Sequence, residues 1–143
     1  MSSSYLYTGN PINPMFVLKF DNQVLENGVD YSINITDNIN VGIAKVEIIG
    51  KGRFSGVINR TFQILPVTVK SLNFYIKNTI LNYNGQPQIP ILSIKFGNMV
   101  LVEGRDYTVD YCNNINIGKA LAKITLKGNY SGKMDIPFYI KQG

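Results

Sequence analysis

DYTVDYCNNINIGKALAKITLKGNYSG, residues 106–132, occurs in two related copies in this chain of 143 residues. The earlier copy, residues 30–56, reads DYSINITDNINVGIAKVEIIGKGRFSG. The offset is 76 residues without a gap, and it runs on in both directions. Tyr7, Gly9, Pro11 and Pro14 recur as Tyr83, Gly85, Pro87 and Pro90. Leu25, Gly28, Phe62 and Ile64 recur as Leu101, Gly104, Phe138 and Ile140. A period this long is a whole domain, not a solenoid turn. It predicts two domains, 1–65 and 66–143, each near the lower size at which an apolar core suffices alone.

Inside each copy the hydrophobic signal has period two. Tyr31, Ile33 and Ile35 alternate with Ser32, Asn34 and Thr36; Ala120, Ala122, Ile124 and Leu126 alternate with Lys119, Leu121, Lys123 and Thr125. One face is apolar and the other mixed, as half-buried antiparallel strands require. Alternation places Cys112 on the outward side of its strand, at odds with its apolar character. Asp21-Asn22 and Gly97-Asn98 read as tight hairpins. The loops 37–42 and 113–118 are rich in Asn and Asp, whose side chains can bond their own backbone. No segment carries helical spacing with caps. Short strands divided by turns at short intervals predict an all-β, antiparallel β-sandwich in each half.

Pro66 ends the last strand of the first copy. Residues 67–76 then read as one extended strand, with Leu72, Phe74 and Ile76 alternating against Asn73 and Tyr75. This is the first strand of the second domain, and the first domain has no counterpart to it. Three readings stay open: a cut piece, a smaller domain, or an open edge filled by a neighbouring chain.

Composition narrows the chemistry. Apolar residues make up 45% of the chain, a globular value. There is one cysteine and no histidine, so neither an intramolecular disulfide nor a Cys/His metal cluster can form. No glycine-rich loop opens a helix, and the carboxylates lie beside turns or at outward positions. A non-enzymatic protein without a cofactor is expected. No apolar run approaches the ~20 residues of a membrane span, so no membrane insertion is expected. The first residues lack the pattern of a secretory signal. That leaves a fragment of a longer exported protein, or a protein that reaches its place without secretion.

The net charge of +5 is uneven. Residues 1–65 carry five cations and five carboxylates, whereas residues 66–143 carry nine cations and four carboxylates. Different electrostatics on similar cores suggest different neighbours. Lys119, Lys123 and Lys127 are spaced to share one strand face and form a candidate stripe for docking on an acidic surface. The competing reading is a solvated face that discourages edge pairing. Nucleic acid is the least favoured partner, because aromatic residues are not interleaved with these lysines.

Asp30, Tyr31, Asp106 and Tyr107 form the repeated Asp-Tyr motif. Loop anchoring is favoured over ligand contact for the tyrosines. Turn capping is favoured over calcium binding for Asp30, Asp106 and Asp37, since the second copy has Asn113 where the first has Asp37. Tyr5, Tyr75 and Tyr139 are the candidates for outward aromatics that could touch a cell-surface glycan.

The series Tyr-x-Gly, Pro, Leu-x-x-Gly-x-Asp-Tyr, Asn-x-Asn-x-Gly-x-Ala, Gly-x-aromatic-Ser-Gly and Phe-x-Ile resembles a tandem module over almost the whole chain. It is similar to the Ig-like β-sandwich repeats of Gram-positive cell-surface proteins and of the virion proteins of their phages. In copy two the pattern runs through Tyr83, Gly85, Pro90, Leu101, Gly104, Asp106, Tyr107, Asn114, Asn116, Gly118, Ala120, Gly128, Tyr130, Gly132, Phe138 and Ile140. The resemblance implies two tandem Ig-like domains, the first lacking its N-terminal strand. It implies a structural or attachment role, first as a capsid or tail decoration protein on the virion surface. A two-repeat segment of a bacterial cell-surface adhesin or wall protein is the alternative, and a glycan-binding module the third. The implied partner is a protein, either a capsid or tail lattice or neighbouring repeats.

Overall fold

The fold is known from a computed structural model that describes residues 3–143. The period-two segments are strands, and among the described residues there is no α-helix. The chain divides into two compact units, residues 1–66 and 67–143, with Pro66 in the first.

Unit 1 contains β1 (Ser4–Leu6), β2 (Lys19–Phe20), β3 (Gln23–Val24), β4 (Tyr31–Thr36), β5 (Gly42–Gly50) and β6 (Val57–Leu65). The larger sheet has the order β1-β6-β5-β4, with β1 parallel to β6 and the remaining pairs antiparallel. β2 and β3 form a separate hairpin. Its two turn residues, Asp21 and Asn22, both have positive φ, the geometry that favours these residue types in a two-residue turn.

Unit 2 contains β7 (Val67–Thr68), β8 (Asn73–Ile76), β9 (Ile80–Asn82), β10 (Leu92–Phe96), β11 (Met99–Val100), β12 (Tyr107–Cys112), β13 (Gly118–Leu126), β14 (Tyr130–Ser131) and β15 (Lys133–Lys141). Its larger sheet has the order β9-β15-β13-β12, the counterpart of the sheet in unit 1. Register repeats with the sequence. Ser4 faces Gln63 and Ile80 faces Tyr139; Tyr31 faces Gly50 and Tyr107 faces Leu126. The second sheet of unit 2 is β11-β10-β8, and β7 pairs with β14. This all-β arrangement of several sheets is consistent with a β-sandwich.

A small-to-large pairing organises both cores. Ala44 faces Phe62, and Ala120 faces Phe138, directly across neighbouring strands. All four are buried. The methyl on one strand leaves room for the ring on the next, so the inward row fills without overpacking. Val46, Ile48 and Ile64 extend the row in unit 1; Ala122, Ile124 and Ile140 extend it in unit 2.

Two departures from sequence expectation concern residues 67–76. The predicted single strand is two strands separated by a 3-10 turn at Val69–Ser71, closed by the Leu72 N–H donating to the Val69 carbonyl at 3.2 Å. The break has a cause: β7 pairs with β14 and β8 with β10, so the chain must change partners between them. The expected alternation still holds, with Leu72 and Ile76 buried and Asn73 and Tyr75 exposed. In unit 1 no described residues take the places of β7 and β8, and the second sheet is reduced to the β2–β3 hairpin.

Gly50 marks a second local difference, because its counterpart in unit 2 is Leu126. A Cβ at Gly50 would lie 2.8 Å from the Ser55 nitrogen and 2.9 Å from the Phe54 carbonyl carbon. Leu126, by contrast, buries its side chain. Two outcomes are expected in denaturant melts. Phe138→Ala should cost about 3–5 kcal/mol, because a fully buried ring leaves a cavity beside Ala120. Gly50→Leu, although it restores the unit 2 residue, should destabilise by about 1–3 kcal/mol through overpacking against backbone.

Candidate functional site

The Asp-Tyr motif is the end of a tight loop. In unit 2 the Val102 carbonyl accepts from the N–H groups of Arg105 and Asp106 at 3.2 and 2.8 Å. The Gly104 N–H donates to the Tyr107 carbonyl at 2.7 Å. Gly104 has φ +91°, a conformation side chains rarely adopt. The Asp106 carboxylate closes the loop by accepting from the Val102 N–H at 2.8 Å, and its carbonyl accepts from the Lys127 N–H at 2.9 Å. One residue thus fixes its own loop and ties it to the turn after β13.

Unit 1 repeats this arrangement. Asp30 accepts from the Glu26 N–H at 2.9 Å through its side chain and from the Lys51 N–H at 2.9 Å through its carbonyl. The electrostatics differ. Asp106 is only 3% exposed and accepts from Arg105 through both Nε and Nη2, at 3.1 and 2.9 Å. Asp30 is half-buried and follows Val29. Burial alone would raise the Asp106 carboxyl. The Arg105 guanidinium and the Val102 N–H outweigh it and hold the group below the ordinary value of 3.8. The Tyr107 phenol is pushed up by burial and by the charges of Glu103 and Asp106. Tyr31 and Tyr107 are both buried core members.

The Asn-rich loops also make contacts that alternation and turn chemistry do not foretell. One side chain in each reaches a distant segment. Asn38 Nδ2 donates to the Ile12 carbonyl at 3.0 Å, and the Ile12 N–H returns a bond to the Asn38 carbonyl at 2.9 Å. Asn114 and Gln88 repeat the pair. The residues before them, Asp37 and Asn113, have φ near +55°, which explains the interchange of Asp and Asn there. The Asp37 carboxylate lies 3.9 Å from Lys45 Nζ, with both side chains largely exposed, a weak pair. Among the described residues no three His, Cys, Asp or Glu side chains gather as metal ligands.

Lys119, Lys123 and Lys127 are all exposed. Lys119 and Lys123 lie on the outward face of β13, whereas Lys127 lies just past its end. Lys119 faces Tyr139. Lys123 faces Asp110 on one neighbouring strand and Asp135 on the other. Two carboxylates therefore interrupt the stripe at its centre, and the excess positive charge lies toward its ends. The sequence shows Asp110 and Asp135, but only the register places them beside Lys123.

Tyr75 and Tyr139 are exposed. Tyr5 is half-buried, contrary to its outward placement from sequence. It packs edge-on to Phe62, with ring centroids 5.3 Å apart. The outward Cys112 faces Leu121, which is also half-buried, so an apolar neighbour accounts for its position. Comparisons with family models, curated proteins and solved structures found no match to this chain.

The Asp-Tyr loops generate a paired prediction. Asp106→Asn should cost about 1.5–3 kcal/mol, since it removes charge-assisted bonds at a buried site. Asp30→Asn should cost less. Because the folded carboxyl of Asp106 is depressed, its contribution is present above the unfolded value and lost as pH falls through the folded one. Wild type should therefore lose stability below about pH 4 in acid melts, and Asp106→Asn should lose less over the same range. At the alkaline end the raised Tyr107 phenol contributes below about pH 10, and that contribution is lost as pH climbs through its folded value.

Proposed function

We propose that this chain is a non-enzymatic structural and attachment protein made of two tandem Ig-like β-sandwich domains, displayed as decoration on a phage capsid or tail. One observation carries the reading. The polar residues common to both copies are engaged in holding loops: Asp30 and Asp106 close the tight turns, and Asn38 and Asn114 fasten a distant segment. The copies differ in charge, and unit 2 carries the whole positive excess. A scaffold conserved between copies, with one charged half, suits a protein that presents one face to a lattice and another outward.

In this reading the partner is an acidic capsid or tail surface, and the ends of the β13 lysine stripe supply part of the attraction. Lys119 and Lys127 carry it, while Asp110 and Asp135 offset Lys123. Lys119→Gln with Lys127→Gln should weaken particle binding by about tenfold at low salt, and added salt should weaken wild-type binding in the same direction. Lys123→Gln alone should have a smaller effect.

Immunogold labelling with an antibody to the chain, on particles of the phage whose genome encodes it and on host cells, tests the location. Label on intact particles supports the reading. Label confined to the host wall would replace it with a bacterial surface protein.

A further inference from the structure

Asn-Gly occurs twice in the chain, as Asn27-Gly28 in unit 1 and Asn84-Gly85 in unit 2. The two pairs are not counterparts. By the 76-residue offset, Asn27 corresponds to Glu103 and Asn84 to Thr8. A glycine after asparagine leaves its own amide nitrogen uncrowded, so that nitrogen can reach the asparagine side chain. All four residues are exposed. Exposure therefore does not separate the pairs; their hydrogen bonds do.

Gly28 is held inside the Asp30 loop. Its N–H donates to the Tyr31 carbonyl at 2.7 Å, and the Asp30 carboxylate closes the same loop on the Glu26 N–H at 2.9 Å. The nitrogen that would have to attack is engaged, and freeing it means opening the loop. Gly85 follows β9 in a turn, and among the described residues its N–H makes no such backbone bond. The Asn84 Oδ1 accepts from the Gln86 N–H at 2.9 Å, which folds the side chain back over its own turn. The same N–H points at the oxygen on which negative charge develops when a nucleophile attacks Cγ. Thr8 makes the matching turn in unit 1, with Oγ1 accepting from the Asn10 N–H at 3.1 Å. Gly9 and Gly85 also share their backbone geometry, with φ +87° and +78°. Threonine, however, has no carbonyl to attack.

We propose that Asn84 is a site of spontaneous deamidation in the folded protein and that Asn27 is protected. The Gly85 nitrogen gives its proton to solvent base and bonds to Asn84 Cγ. The Gln86 N–H holds the resulting oxyanion. Its collapse breaks the Cγ–Nδ2 bond, releases ammonia and leaves a cyclic succinimide. Water opens the ring at either carbonyl to give aspartate or isoaspartate, so each ammonia lost is balanced by a water consumed. The product adds one carboxylate to a chain of net charge +5. Ile80 of β9 faces Tyr139, and Tyr139 faces Lys119, so the new charge arises at the Lys119 end of the β13 sheet.

The test incubates the whole chain in mildly alkaline buffer, folded and in guanidinium chloride, and locates each conversion by peptide mass spectrometry with fragmentation. In the folded chain Asn84 should convert at least about tenfold faster than Asn27, because Gly28 must first give up its bond to Tyr31. In denaturant the two should convert at comparable rates. The folded rate at Asn84 should stay within about tenfold of its denatured rate, since its nitrogen is free and its oxyanion has a donor. Both aspartate and isoaspartate should appear at residue 84. Asn84→Thr, which installs the unit 1 residue, should abolish the change there and leave the thermal midpoint unaltered.

Four results would overturn the proposal. The first is a folded-state preference for Asn84 below that margin. The second is the same preference in denaturant, which would place its cause in the sequence and not in the turn. The third is a folded rate at Asn84 slower than the stated limit, which would show that the fold protects it. The fourth is aspartate without isoaspartate, the mark of direct hydrolysis without the Gly85 nitrogen.

Discussion

The pairing of β8 with β10 is the interaction on which the difference between the two halves depends. A sheet edge exposes N–H and C=O groups that must be paired, covered or left to water. In unit 2 the chain supplies its own cover, and Leu72 and Ile76 are buried by it. In unit 1 no described strand lies along the same edge, and Val17, Phe20 and Ile58 are on the surface of the described residues. The larger sheet is the same in both units, register included.

The repeated residues divide by task. Ala44 with Phe62, and Ala120 with Phe138, set the spacing of the inward row. Gly28 and Gly104 permit the turn that brings Asp30 and Asp106 back onto their own loops. Asn38 and Asn114 hold the segment that leads into the second sheet. Residues that differ between copies report on surroundings. Arg105 strengthens one of the two Asp loops, Leu126 fills a space that Gly50 leaves to backbone, and Arg60 lines a groove where unit 2 has Ile136.

Much of this fold was legible from alternation and offset. Tyr31-Ile33-Ile35 and Ala120-Ala122-Ile124 announce their inward faces, and Asp21-Asn22 announces its hairpin. What stayed hidden depends on register or on distance along the chain. β1 and β9 are three residues long, too short for alternation to reveal that they lie parallel to β6 and β15. The turn at Val69–Ser71 exists because two successive strands have different partners, which no local pattern encodes. Asn38 bonds a residue 26 positions away, and Lys123 meets Asp110 and Asp135 only across strands. Tyr5 turned inward because Phe62 lies on the strand beside it.

Among the described residues the Phe16–Lys19 edge lacks the strand that covers Leu92–Lys95. Residue-resolved amide hydrogen exchange on the whole chain measures this most directly. The expected result is fast exchange at Phe16, Val17 and Leu18 beside slow exchange at Leu92, Ser93 and Ile94, with equal protection across β5 and β13. Equal protection of the two edges in the monomer would contradict it.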